Sequence, residues 1–191
     1  MIFIINLIVK ETQMSFDERT RIFLYLQKLN YEQTEVIHKL VDLGLIDSKQ
    51  LENFINGMVK DRFKKGKAFI EFALKLNISS PEDQPQIISR NYYGMYHIAR
   101  AVVFHTSRID TNDHDLLSRK FTETVKIEKT KAEMIGEKLE EWRKKRNNVD
   151  YDPYLPHNII TICEESIDDA KEILKICSKY LMERGVDIEN V

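Results

Sequence analysis

The residues most able to do chemistry stand together in the stretch WRKKRNNVDYDPY, residues 142–154. Four cations are followed by two amides, two carboxylates and two phenols. Arg146 and Asp150 are spaced i,i+4, so on a helix they can pair on one face. Tyr151 follows where the helix is about to break, so its hydroxyl can turn back toward Arg146. The planar guanidinium fork suits phosphate oxygens, and Asn147 with a phenol could hydrogen-bond a sugar or a base. The plain alternative is a solvated helix end, where cations favour the C-terminal dipole.

A second cluster is Arg90-Asn91-Tyr92-Tyr93-Gly94-Met95-Tyr96-His97. Arg90 and His97 could face a ligand. The competing reading is a central helix whose tyrosines are core residues, each hydroxyl finding one partner, with His97 a satisfied interior histidine. Gly94 would allow a close helix crossing. A third candidate is His114, at an expected helix start, where Asn112 or Asp113 reads as the N-cap. His157 follows Pro156 and reads as exposed. The run Lys60–Lys67 interleaves cations with Phe63 and reads as a solvated helix face or as an extension of a positive surface. There is no Gly-rich phosphate loop, no nucleophile elbow and no zinc-protease motif. Any activity must therefore come from side chains projecting off helices.

These residues have to be positioned by helices. The chain has 191 residues, 42% hydrophobic and 31% charged, as a folded globular protein does. Six glycines and four prolines favour long regular elements. The net charge of −2 supplies no global field for nucleic acid, so such an argument must rest on local patches. Apolar spacing predicts helices over 17–29, from about 31 to Gly44, and from Asp47, as a cap, to about 76. The last has a seam of Leu51, Ile55, Met58, Phe69, Ala73 and Leu76 that passes through Arg62 and Gly66. Ser80-Pro81 reads as the start of an all-round apolar, and so central, helix ending near 106. Further helices are expected over 114–125, over 131–150 with Met134, Ile135, Leu139 and Trp142 buried, and over 158–183. Asp152-Pro153 stops the second of these, because a residue before proline avoids the helical region. The expected fold is all-α: an up-down bundle of about five helices over 47–191, with a helical extension over 1–46.

Cys163 and Cys177 lie four turns apart on one expected helix, roughly 21 Å by helix rise, too far for a disulfide. With no clustered Cys/His set, neither metal nor cofactor is expected. A reducing cytoplasm is the simple compartment. The apolar MIFIINLIVK is too short to span a bilayer. It reads either as an addition ahead of a natural start at Met14 or as a short element packed on the body.

SRNYYGMYHIARAVVF, then HDLLSRKF, then RNNVDYDPY ahead of a long last helix, resembles the HEPN superfamily, and within it a prokaryotic branch with an Asp-Tyr-Asp segment. The resemblance covers about 51–185. It implies a small helical bundle that usually dimerises. Many members are RNases acting as toxins or in RNA processing; others bind RNA or nucleotides without cleaving. Many prokaryotic members pair with a minimal nucleotidyltransferase as antitoxin. Active members carry an arginine and, about a turn later, a histidine. Arg146 matches that arginine and Asn147 the polar residue after it, but Tyr151 stands where the histidine would be. A phenol is a poor base at neutral pH, so His97 or His157 would have to reach Arg146 to replace the imidazole. Tyr154 loosely matches a tyrosine to which some partner nucleotidyltransferases attach AMP.

Three readings follow. In the first, Arg146, Asn147, Asp150 and Tyr151 line a cleft at a homodimer axis and bind RNA or a nucleotide, with Arg143, Tyr154, His97 and Arg90 contributing to substrate binding. In the second, the protein is an active, metal-independent toxin RNase. In the third, it is a non-catalytic scaffold for a nucleotidyltransferase, with Arg146–Asp150 an internal salt bridge.

Overall fold

The computed structural model describes residues 31–152 and 154–188. The helix expected over 17–29 lies outside them. Six helices are described: α1 (Tyr31–Asp42), α2 (Ser48–Ala73), α3 (Asp83–Ser107), α4 (His114–Thr124), α5 (Lys129–Tyr151) and α6 (Ile159–Met182). Among the described residues there is no strand. The bundle is all-helical, with α3 at its centre, packed on α2, α4, α5 and α6. No helix of the described residues is long and apolar enough to cross a membrane.

Local chemistry sets the boundaries. Gly44, with φ at +69°, turns the chain out of α1, and the amide of Leu45 reaches back to the Leu40 carbonyl at 2.9 Å. Ile37 and Ile46 on either side of that turn join the same core as α2–α6. The carboxylate of Asp47 caps α2 by accepting from the Gln50 amide at 2.9 Å. Asp113 caps α4, accepting from the amides of Asp115 and Leu116. Ser80-Pro81 does not open α3 directly. The chain makes a turn there, and the helix starts at Asp83. The apolar stripe of α2 runs through Phe63, Gly66 and Ile70, leaving Phe69 only half-buried. α6 buries Ser166, Ile173 and Tyr180 beside the expected Cys163, Ala170, Cys177 and Leu181, so its seam is rotated slightly. Cys163 and Cys177 are both free and buried.

Two close crossings fix the layers. A Cβ on Gly66 would stand 2.8 Å from the Gly94 carbonyl oxygen and 2.7 Å from Ile98 Cγ1, so the α2 and α3 backbones touch. A Cβ on Gly136 would stand 2.5 Å from Thr122 Oγ1, which brings α5 equally close to α4. Between α3 and α6, the buried Asn91 amide donates to Ser166 Oγ at 2.9 Å.

The seam residue Arg62 is the main polar feature of the interior. It reaches Asp110, in the loop after α3, with two hydrogen bonds of 2.7 Å. Arg100 meets the same carboxylate from α3 at 2.8 and 2.5 Å. Asp110 is 5% exposed, so one carboxylate clamps two guanidinia away from water.

Gly66→Ala must force a Cβ against a backbone carbonyl that cannot rotate away. The expected cost is about 1–3 kcal/mol. It would be read as a lower urea midpoint at unchanged slope.

Candidate functional site

The four-cation run divides by helix face. Lys144 pairs with Glu140 at 2.8 Å on the outer surface. Lys145 faces α6, where it meets Glu165 at 3.1 Å and lies over the Trp142 ring. Arg143 and Arg146 are three residues apart and share the remaining face, toward α3 and α4. The run is therefore neither all solvated nor all functional.

Arg146 is oriented by several partners. One guanidinium nitrogen donates to Asn147 Oδ1 at 2.6 Å and another to the Tyr93 hydroxyl. Its Nε lies 2.9 Å from Asp150 Oδ2, without a well-aligned hydrogen bond. Its Cζ lies 4.9 Å from the ring centroid of Tyr93 and 5.8 Å from that of Tyr151. Asp150 is steadied in turn by Ser89 Oγ at 3.4 Å. Arg143 reaches Asp115 at 2.5 Å, while its Nε is buried without a hydrogen-bond partner.

In front of the two arginines is a cleft of about 340 Å³, lined by Tyr92, His114, Arg143, Arg146 and Asn147, with Asn112, Asp113 and Asp115 at its α4 side. The histidine that shares this cleft with Arg146 is His114; neither His97 nor His157 lines it. His114 is half-buried. Its ring stacks on Tyr96 with centroids 4.0 Å apart, and its Nδ1 is hydrogen-bonded to the Tyr92 hydroxyl. Burial, and then the charges of Arg146 and Arg143, hold its pKa below the usual value. It is therefore a neutral base at pH 7. Burial, the largest influence, pushes the Tyr92 phenol far up, so that it stays protonated.

The sequence-derived site is only partly one site. Arg146, Asn147, Asp150 and Arg143 stand together, and Tyr151 borders them with 76% of its surface exposed. Tyr154 is 85% exposed, beyond the end of α5. His157 is also exposed. Arg90 and His97 face α2 instead. His97 stacks on Phe69 with centroids 5.7 Å apart, and Arg90 lies over Phe69 and Phe72. The sequence offered His114 as a candidate explained by the cap beside it and Tyr92 as a core residue, so neither was expected at the Arg146 site. The available signal was a histidine directly after a cap, where its side chain leaves the first turn of a helix and is free to face a neighbour.

Burial and the neighbouring Lys65, Arg100 and Arg62 hold the His97 imidazole down to about 4, against an ordinary 6.5. The folded value is depressed, so the unfolded chain takes up the proton first. The stability tied to neutral His97 is complete above about pH 6.5 and is lost as pH falls toward 4. Thermal unfolding from pH 7 to pH 4 will therefore show a steeper loss for wild type than for His97→Gln. Comparison with protein-family models, curated proteins and solved structures finds no match for this chain, so the cleft is read from its own geometry.

Proposed function

We propose that the cleft between α3, α4 and α5 binds the phosphate of an RNA or a nucleotide, in a chain related to the HEPN superfamily and working as a homodimer. The observation that carries the reading is that Arg143 and Arg146 share one cleft with a neutral histidine and an amide. The two arginines would take the phosphate oxygens, Asn147 and the Tyr92–His114 pair would meet the ribose, and the exposed Tyr151 would stack on a base. Each arginine already has a carboxylate neighbour. Asp115, on Arg143, is 68% exposed, and such a pair contributes on the order of 0–1 kcal/mol, so a phosphate displaces it at small cost. Asp150 is better held and remains as the group that aims Arg146.

A second reading, a metal-independent endoribonuclease of a toxin–antitoxin pair, is favoured by His114 alone. A neutral imidazole beside two arginines suits removal of a proton from a ribose 2′-hydroxyl, with the arginines steadying the charge that develops on the phosphate. A scaffold for a minimal nucleotidyltransferase is the third reading. It is favoured by the Arg146–Asp150 contact at 2.9 Å, which on that reading is an internal tie.

Binding of a fluorescent single-stranded RNA tests the first reading. Arg143→Gln and Arg146→Ala are each expected to weaken it about tenfold or more. Each lost phosphate contact lowers the slope of log affinity against log salt by about 0.7. Arg143→Gln leaves the α3 ties of Arg146 in place and so controls for folding. Unchanged affinity in both variants overturns the cleft. Incubation of RNA without metal tests the second reading: cleavage is expected to vanish in His114→Ala and Arg146→Ala and to persist in Tyr151→Phe.

A further inference from the structure

Arg90 lines a groove on the α2 side of α3. No carboxylate of the described residues pairs with it, and its Nε is buried without a hydrogen-bond partner. Its guanidinium carbon lies 5.6 Å from the ring centroid of Phe69 and 5.7 Å from that of Phe72. Lys65, exposed on α2, stands at the same groove, which has a volume of about 330 Å³ and is floored by Phe69, Phe72 and Ala68. Phe72 keeps 49% of its surface exposed. The groove therefore offers flat apolar surface and unneutralised positive charge in the same place.

It is linked to the cleft through one side chain, Tyr93. Phe69 meets the Tyr93 ring at 5.8 Å, and Tyr93 accepts a hydrogen bond from Arg146 and lies 4.9 Å beneath its guanidinium. Tyr93 thus connects Phe69 of the groove to Arg146 of the cleft.

We infer that the Phe69–Phe72–Arg90 groove is a second subsite, in which a base of a single-stranded RNA stacks on Phe72 while Arg90 and Lys65 hold the neighbouring phosphate. The inference rests on the cleft reading and extends it from one phosphate to a strand. Two physical points select this occupant. A purely apolar partner would bury Arg90 as an unpaired charge. A nucleotide supplies a planar ring and an anion together, and matches both halves of the groove. His97, packed behind Phe69 and neutral at pH 7, adds no charge there and serves to fix the Phe69 ring.

The test uses the full chain and a short single-stranded RNA carrying 2-aminopurine, whose fluorescence falls when it stacks. Wild type is expected to quench the probe. Phe72→Ala, a change at an exposed position, abolishes the quenching and weakens binding about tenfold. Arg90→Gln keeps the stacking but lowers the salt slope by about 0.7. A mononucleotide, which occupies the cleft alone, binds both variants as wild type does. Quenching and affinity unchanged in Phe72→Ala, while Arg146→Ala still loses RNA, overturns the subsite and leaves the cleft standing. Loss of self-association in Phe72→Ala without change in RNA binding also overturns it, by assigning the groove to a second copy. If wild type binds no RNA at all, the cleft reading itself falls.

Discussion

The structure depends most on the buried carboxylate of Asp110. It receives two hydrogen bonds from Arg62 on α2 and two from Arg100 on α3. Two like charges would otherwise face each other in the interior, so the aspartate is what allows both arginines to be there. Breaking such a cluster by removing its anion costs on the order of 3–5 kcal/mol, because it leaves unpaired buried charge. The clamp also has a geometric effect. It ties the loop after α3 down onto the bundle, four residues before His114. Arg108, in the left-handed region at φ 59°, makes the reversal that precedes it and is itself tied to Glu52. The position of His114 in front of Arg146 follows from where this loop is pinned.

The cleft shows the same division between what holds and what is held out. Arg146 is fixed by Asn147, Tyr93 and Asp150. Arg143 has only the exposed Asp115. One arginine is therefore pre-aimed and the other is free to exchange its partner. Pre-aiming spares a ligand the rotamer entropy of one long side chain. The exchangeable arginine lets the site stay paired when empty. Lys144 and Lys145, between them in sequence, are taken up by glutamates on other faces and add nothing to the cleft beyond their diffuse field.

Much of this fold was legible in the sequence, and the part that was not has a physical reason. Caps and stops are local, so Asp47, Gly44 and the end of α5 before Asp152 could be read directly, and Asp113 was one of two cap candidates. The polar gap in the α2 seam at Arg62 and Gly66 was visible too, and it marks the clamp and the close crossing. The partner of Arg62 was not visible, because Asp110 is 48 residues away in what reads as an ordinary polar loop. Periodicity fails on α3, which is apolar on nearly every side and so gives no face to assign. Tyr92 and Tyr93 are adjacent yet point to different neighbours, one to His114 and one toward Phe69. For that reason Arg90 and His97 could be named as candidates, but not separated from the Arg146 cleft. His114 was hidden by its position: a histidine after an N-cap is explained by the cap alone until α5 is placed beside it.

The cleft and the groove differ in how they would treat a negative charge. In the cleft, His114 is held neutral by burial and by the two arginines. A bound phosphate offsets part of that positive field, so it must raise the proton affinity of His114. By linkage, protonating His114 must then strengthen phosphate binding. The cleft is thereby tied to pH through one residue. At the groove the nearby imidazole is His97, packed on Phe69 and held down to about 4 by burial and then by Lys65, so it stays neutral at pH 7, and the charges there are Arg90 and Lys65. A strand lying across both would thus be held by a pH-responsive contact at one end and a salt-responsive, stacking contact at the other, with Tyr93 in contact with Arg146 of the one and Phe69 of the other.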